Sequence, residues 1–600
     1  VNTIFADTTF LIDNKSLIIR GNETDRTKII GDSSFSILEL QFKDTITRIN
    51  IENLEFTKGY GNNPAINTSQ SNLFVPENRN LLRNCRFYDN YASSGSAISV
   101  FQFNIVNCYF ENNTSDTATY GSIASAIFTK NSIIDSCIFI SNNNFSDYRY
   151  SAGALYADNS DIKNCSFFNN SAYGGDVGGA VYIRNGLVEN CTFEANYLDI
   201  ETDGGGALYC SNSSIVNCKF LNNKGGDYWY SAYNAGAVES RGGNTFIGCL
   251  FSNNSSMGAG AMVGTASDKI INCTFVNNES TSDWGGINLF EGENQITIKN
   301  SIVYGNMPFN FKAVNRYGGN VATLKLDATY SAIEDTLLPG EGNISLNSSP
   351  LQPLQASDNY FLSDTSVCIN AGDTTGVSSL LMATDILGNN RINGNAIDIG
   401  AVEHYDRLAP IVNWPTTNNI VYGNNMINTI NQNGSANIAG DFQFNIDTTF
   451  FPDAGLSYLQ VVFSPHEDSI LVYKSIVENI GIQVNKAELS VSAVDTIVNL
   501  GDVEPEYRLL YSGFVLDEDE NVLDQKPTAH VNNYSELGVG AYYDVVEVSG
   551  GRDSNYDFNY DSGTLTIISN VSALQNISCD LSVFPNPTSD VIIIENYIGV

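Results

Sequence analysis

Residues 164–170 read NCSFFNN and residues 190–196 read NCTFEAN, two copies of one pattern, N-C-x-F-x-x-N. Aligned on it, the chain falls into register at Cys85-Phe87-Asn90, Cys108-Phe110-Asn113, Cys137-Phe139-Asn142 and Cys165-Phe167-Asn170. Four more copies follow at Cys191-Phe193-Asn196, Cys218-Phe220-Asn223, Cys249-Phe251-Asn254 and Cys273-Phe275-Asn278, with degenerate copies at Leu54-Phe56 and Ser301-Val303. Successive Cys are separated by 23, 29, 28, 26, 27, 31 and 24 residues. A second motif of small residues and one aliphatic runs in phase, starting at Gly95, Ala124, Ala152, Gly178, Gly205, Ala235 and Ala259. Such a period, with two short apolar strands per unit, marks a solenoid, and its variable length places insertions in loops.

The expected fold class is all-β: a right-handed parallel β-helix, with each coil hydrogen-bonded to the next at a rise of about 4.8 Å. Equivalent positions then stack. Phe87, Phe110 and Phe139 predict an inner aromatic stack, and Ala97, Ala126, Ala154 and Ala180 a tight apolar row. The Asn after each Phe falls at a bend, where an amide ladder satisfies turning backbone groups. Cys, at one inward position in eight coils, reads as a small buried hydrophobe rather than a disulfide partner or metal ligand, because no CxxC or His pair accompanies it.

Composition agrees. Tyr and Phe number 31 and 32 while charged residues make up only 16%, which favours strands over long helices. A formal charge of −37 repels phosphate backbones and anionic lipid, so no nucleic acid is expected as partner. The same acidity attracts divalent cations; no cofactor is required, and Ca²⁺ is the one to test. No stretch reaches the roughly 18 apolar residues of a membrane helix, so no transmembrane segment is expected. The opening TIFADTTFLIDNKSLIIRG (3–21) reads as a start in mid-strand, after an export signal or inside a longer product.

The paired GGA(I/L/V) and FxxN motifs of residues 80–290 resemble the repeats of polymorphic outer membrane proteins, which implies a surface-displayed β-helix acting in adhesion. SVCINAGD (366–373) and DILGNNRINGNAIDIGAVEH (385–404) resemble the closing segment of bacterial β-helix proteins with a choice-of-anchor terminus. Asp385, Arg391, Asp398 and Glu403 are expected to form a polar network that seals the last coil. The β-helix is therefore assigned to 1–405, with the repeat core at about 50–305 and the closing segment at 306–405.

Pro410 and Pro415 mark a boundary. Residues 409–485 resemble a bacterial Ig-like module, and 486–568, with YSGF (511–514) and NYDFNYDSGTLTI (555–567), resemble an MBG-type module. Both imply short β-sandwiches serving as spacers. Asp517–Glu520 reads as a solvated acidic turn. In 569–600, Val583-Phe584-Pro585-Asn586-Pro587-Thr588 resembles the start of a type IX secretion, type A sorting domain, with Pro585, Asn586 and Pro587 as the signal. That resemblance implies type IX secretion machinery as a partner and an extracellular or outer-surface location on a Gram-negative bacterium.

The candidate site is the loop between FxxN and the small-residue motif, long in consecutive coils. Stacking brings Asp147, Asp176, Asp203, Asp227 and Asp283 to one flank. Beside them fall Tyr148, Arg149, Tyr150, Tyr173, Tyr197, Tyr228, Trp229, Tyr230 and Trp284. Aromatic faces stack on pyranose rings while carboxylates bind hydroxyls or Ca²⁺, so the flank reads as a sugar-binding groove. The same residues also fit a plainer account, with rings packed on the coil and Asp capping turns. The expected function is a non-catalytic adhesin or glycan-contacting protein. The alternatives are a polysaccharide lyase or glycosidase on the same scaffold, and a purely structural exoprotein. No catalytic set is assigned, since Arg149, Arg184 and Lys224 are the only basic partners and each lies in a different coil.

Overall fold

The computed structural model describes residues 3–569 apart from 7, 14, 25, 32–35, 43–46, 60–63, 69–78, 93–96, 116–122, 146–149, 175–176, 199–203, 227–233, 266, 283–284, 291–295, 315–325, 335–338, 352–359, 393–395, 429, 432, 448, 467–468 and 470–471. The sorting signal Pro585-Asn586-Pro587 lies outside the described residues. The chain divides into two units, Val1–Leu408 and Ala409–Val600.

The first unit is a right-handed parallel β-helix. Sheet 1 runs from Phe10–Asp13 to Phe311–Val314 in 12 strands, and sheet 2 from Leu17–Arg20 to Leu326–Thr329 in 12. Sheet 3 runs from Thr3–Ala6 to Ile344–Leu346 in 14 strands. The small-residue motif leads into sheet 1 and the Cys into sheet 3. Each coil thus has three main strands, not the two expected from the motifs. The missed strand is the one in sheet 2. Asn104-Ile105-Val106, Ile133-Ile134-Asp135 and Asp161-Ile162-Lys163 each bury one central aliphatic, which is too little alternation to register as a strand. A short fourth sheet, from Tyr91–Ala92 to Tyr197–Leu198, follows sheet 3 in several coils.

The inner aromatic stack is present. Phe56, Phe87, Phe110, Phe139, Phe167, Phe193, Phe220, Phe251 and Phe275 stack coil on coil with ring centroids 4.4–5.0 Å apart. The degenerate copies belong to the same column, with Phe56 paired to Phe87 and Val303 to Phe275.

Each corner of the coil is built the same way: a residue in the left-handed region, then a buried side chain that accepts a backbone N–H from the preceding coil. After sheet 3 the pair is Ser141 (φ 52) and Asn142, then Asn169 (φ 52) and Asn170. The Asn142 N–H donates to Asn170 Oδ1 at 3.0 Å, the Asn170 N–H to Asn196 Oδ1, and so on to Asn306. Each amide Nδ2 also donates to a Phe carbonyl, as Asn170 does to Phe139 at 3.1 Å. Between sheets 2 and 3 the accepting atom is the thiol: the Cys137 N–H donates to Cys165 Sγ at 3.4 Å, and that of Cys165 to Cys191 Sγ. Where the Cys column ends, Ser301 and Ser331 take the role. The thiols are free and buried, and they act as hydrogen-bond acceptors as well as apolar filling. Between sheets 1 and 2, Ser132, Ser160, Ser213, Asn244 and Asp268 form a third such column. The corners therefore satisfy N–H groups that regular ladder pairing leaves over.

Gly153, Gly179, Gly206 and Gly236 show why the second motif is small: a Cβ there would lie 1.8–2.1 Å from the carbonyl oxygen of the next coil.

The closing segment begins as coil, since Phe311–Val314, Leu326–Thr329 and Ile344–Leu346 are the last strands of sheets 1, 2 and 3. From Cys368 to Glu403 the described residues lie along the outside of sheets 2 and 3 over several coils rather than across the end of the last one. Val377 packs on Val216, Ile247 and Ile271, and Cys368 and Ile399 pack with Leu250, Val276 and Ile302. Asn217 donates to Thr384 and Asp385 carbonyls, Asn272 to Asp398, and Lys299 Nζ to Asp373 at 2.6 Å. The expected polar network is formed here, buried. Arg391 donates to Gly400, Ala401 and Glu403, while Asp398 and Glu403 N–H groups donate to Glu403 and Asp385 carboxylates. The apolar outer residues of sheets 2 and 3 explain the position, since they need a cover that the coils themselves do not provide.

In the second unit, Gly440–Phe444, Gly455–Pro465, Ile476–Asn485 and Ile420–Val421 make one sheet. Val412–Asn413 pairs with Ser435–Ala436, and sheets of three and four strands, from Ala487–Ala493 to Gly563–Ile568, follow. One buried cluster spans Ile420 to Ile567. Glu518, expected in a solvated turn, instead accepts hydrogen bonds from Tyr422 Oη at 2.8 Å and Tyr556 Oη at 2.6 Å.

Candidate functional site

The loops of the expected site leave the coil between the short fourth sheet and sheet 1, and both of their ends are held in register. Asn143, Ser171, Tyr197, Lys224, Ser255 and Glu279 pair in sequence on one side. Ala124, Ala152 and Gly178 do so on the other, as do Gly205, Ala235 and Ala259. Asp147, Tyr148, Arg149, Asp176, Asp203, Asp227, Tyr228, Trp229, Tyr230, Asp283 and Trp284 lie outside the described residues. Tyr150, Tyr173 and Tyr197 are described. Tyr150 and Tyr197 are exposed, and so is Phe145 at the mouth of the first long loop.

Tyr150 leads to a feature that the motifs left unread. Its ring meets the edge of Tyr182 at 6.3 Å, and its φ of 65° places a bulky residue in the left-handed region, a cost retained where surroundings demand it. Tyr182 belongs to an outward column on sheet 1: Phe128, Tyr156, Tyr182 and Tyr209, with centroids 5.2, 4.7 and 4.7 Å apart. The three tyrosines are buried, and burial raises the Tyr182 phenol pKa well above its usual value.

Two residues further along each strand lies a second outward column, Lys130, Asp158, Arg184 and Ser211, paired in register. Arg241, whose N–H donates to Cys210 O, continues it. Arg184 holds Asp158 in a fork, Nε to Oδ1 at 3.0 Å and Nη2 to Oδ2 at 2.7 Å. Burial alone would raise the Asp158 pKa, but these bonds and the positive charge of Arg184 outweigh it and hold the carboxyl below its usual range. Arg241 is held by Glu239, which is fully buried, with Nε to Oε1 at 2.5 Å. Beside this column runs the corner row Asn131, Asn159, Asn185 and Asn212, all at positive φ, the last three exposed. Asn159 donates to Asn131 at 2.5 Å and Asn185 to Asp158 at 3.4 Å.

The strip thus presents cations, oriented carboxylates and amides in rows one coil apart. Its signal in the sequence was a pair of columns two and four residues beyond each motif alanine (Phe128, Tyr156, Tyr182 and Tyr209 at two, Lys130, Asp158 and Arg184 at four), which is visible only once the repeats are aligned.

Comparison with known proteins adds the following. Residues 134–303 match the family model described as right handed beta helix region, and residues 489–566 match the MBG domain (YGX type). No curated protein matches the chain. A PL6 family alginate lyase, AlyGC, is 9% identical, with 70% of this chain and 58% of that one covered and a TM-score of 0.26. Tailspike protein 3 of bacteriophage CBA120 is 13% identical, with 55% and 56% covered and a TM-score of 0.16. The catalytic domain of a GH87 alpha-1,3-glucanase, in complex with nigerose, is 12% identical, with 56% and 55% covered and a TM-score of 0.15. This chain therefore spans less than two thirds of the length of each, and none of these likenesses bears on what it binds. The chain is a parallel β-helix protein that carries an MBG domain.

Proposed function

We propose that this chain is a secreted or cell-surface protein of a Gram-negative bacterium that contacts an extracellular or host glycan without cleaving it. One observation carries the reading: sheet 1 and the loop ends beside it present an exposed aromatic, Tyr150, next to rows of oriented charges and amides, the mixture that binds sugar rings and their hydroxyls. The carboxylates of this strip are committed to arginines. Asp158 is held ionised by Arg184 and accepts hydrogen bonds, whereas a glycosidase acid needs a raised pKa and a second carboxylate at a set separation. Resemblance of the coils to repeat adhesins, of 409–485 to an Ig-like spacer and of Val583–Thr588 to a type IX sorting signal supports display at the surface.

The test is a glycan array with the full chain, with and without Ca²⁺, in which every hit is also assayed for cleavage products. Binding without cleavage, weakened about tenfold or more by Tyr150→Ala or Trp229→Ala, is the expected result. New reducing or unsaturated ends would replace this reading with that of a glycosidase or lyase. No binding to any glycan would leave a structural exoprotein.

A further inference from the structure

Resting on that reading of sheet 1, the geometry points to a linear polyanionic glycan, lying along the helix axis with about one ring per coil, whose acidic groups on every second ring meet Lys130, Arg184 and Arg241.

The periodicity comes from the fold. Coils rise by about 4.8 Å, which the outward ring column reproduces at 4.7–5.2 Å. A pyranose chain in an extended conformation advances by nearly the same length per ring. Lys130, Arg184 and Arg241 stand in alternate coils of one column, with Asp158 and Ser211 in the coils between them. Cations therefore recur at about twice the coil rise, near 10 Å. In an extended glycan chain with a two-fold ribbon, substituents on alternate rings face the same side, so one edge of a polyuronate or sulfated polysaccharide repeats its charge at this interval.

Each cation also has the form that recognition of an anion needs. Arg184 and Arg241 are planar forks whose orientation is fixed by Asp158 and Glu239, so little side-chain freedom remains to be lost on binding. Arg184 is well exposed, at 44% of its side chain, and Arg241 and Lys130 are partly so. The bordering amides of Asn159, Asn185 and Asn212 face solvent and supply partners for ring hydroxyls. The net charge of −37 opposes a polyanion at long range, but that field is screened beyond about 8 Å at physiological ionic strength, so contact is decided by the strip itself.

The experiment measures affinity of the full chain for polygalacturonate, carrageenan and a neutral galactan, whose arms separate carboxylate, sulfate and uncharged ligands. Expected is preference of at least tenfold for one or both polyanions over the galactan. Arg184→Gln and Arg241→Gln should each remove at least tenfold of it, the loss for the polyanions exceeding any loss for the galactan. Lys130→Gln, at a lysine whose loss strands no carboxylate of the strip, tests the same point if either arginine variant fails to fold. Arg184→Lys should restore only part, because a point charge replaces a fork. Galactan binding equal to that of the polyanions and unmoved by all three Gln variants would overturn this inference while leaving glycan contact in place. Binding to none of the three, together with a blank array, would overturn both.

Discussion

Replacing Asn170 with alanine should be among the most damaging single changes in the coils, although it removes no aromatic and no charge. Its Nδ2 donates to Phe139 O at 3.1 Å and to Asn196 Oδ1 at 3.0 Å, and its Oδ1 accepts the Asn142 N–H at 3.0 Å and Asn142 Nδ2 at 2.9 Å. Asn142 Nδ2 retains a second acceptor in Phe110 O, and Asn196 Oδ1 retains the Asn170 N–H. One group is left stranded in the alanine variant, the Asn142 N–H, in a place where Asn142 and Asn170 are fully buried, while the Phe139 carbonyl loses its side-chain donor but keeps its ladder pairing with the next coil. At about 1–3 kcal/mol for the stranded N–H and about 0.5–1.5 kcal/mol for the lost bond to the Phe139 carbonyl, the loss is about 1.5–4.5 kcal/mol. Coils are stabilised by their neighbours, so the damage should spread to the adjoining turns rather than stay at one bend. Chemical denaturation with site-resolved hydrogen exchange across residues 137–196 reads both effects. Asn169→Ala is the control, since Asn169 is exposed, holds only the left-handed φ of 52° and should cost about 1–2 kcal/mol. A loss below about 1 kcal/mol for Asn170→Ala, with protection of Asn142 unchanged, would refute the claim that the amide ladder holds the coils together.

Three further expectations follow from the same geometry. Cys165→Val should cost about 1–3 kcal/mol more than Cys165→Ser, because valine strands the Cys137 N–H while serine repeats what Ser301 does for Cys273; paired denaturation curves check it. Gly248→Asn restores the residue that precedes Cys in most repeats, yet it should destabilise. The Cβ would lie 2.3 Å from Asn217 Oδ1 and 2.7 Å from Arg391 Nη2, and a double-mutant cycle with Arg391→Ala should show a coupling of about 0.5–3 kcal/mol. Burial pushes Glu403 up to about 8 from the ordinary 4.5, so the folded state holds a proton that the unfolded chain releases. The closing segment should therefore lose stability as pH rises from about 4.5 to about 8, and Glu403→Gln should flatten that slope in hydrogen exchange of residues 385–404.

Much of the β-helix was legible because the coil repeats its demands. Phe87 to Phe275, the Asn column and the small-residue motif each answer one steric or hydrogen-bonding need that recurs every turn, so the need appears as a spaced letter. Sheet 2 was not legible, because Ile105, Ile134 and Ile162 are each the one buried aliphatic of a strand of three or four residues, and the half-buried Val106 and Ile133 beside two of them blur the alternation. The place of the closing segment was hidden for another reason. Its docking depends on Val216, Ile247 and Ile271 pointing outward, and strand parity is not marked in a strand of three residues. The candidate site divides in the same way. Loops of varied length and composition draw attention, and their ends are indeed held together on one flank. Lys130, Asp158, Arg184 and Arg241 differ from coil to coil, so a search for what repeats passes over them.

The measurement that tests the central claim most directly is a crystal structure of the full chain with an acidic oligosaccharide bound. Sugar rings seated along sheet 1 between Lys130 and Arg241, with an acidic group on the Arg184 guanidinium and a ring near Tyr150, are the result predicted. Oligosaccharide held on sheet 2, sheet 3 or the second unit, with Lys130, Arg184 and Arg241 untouched, would contradict it.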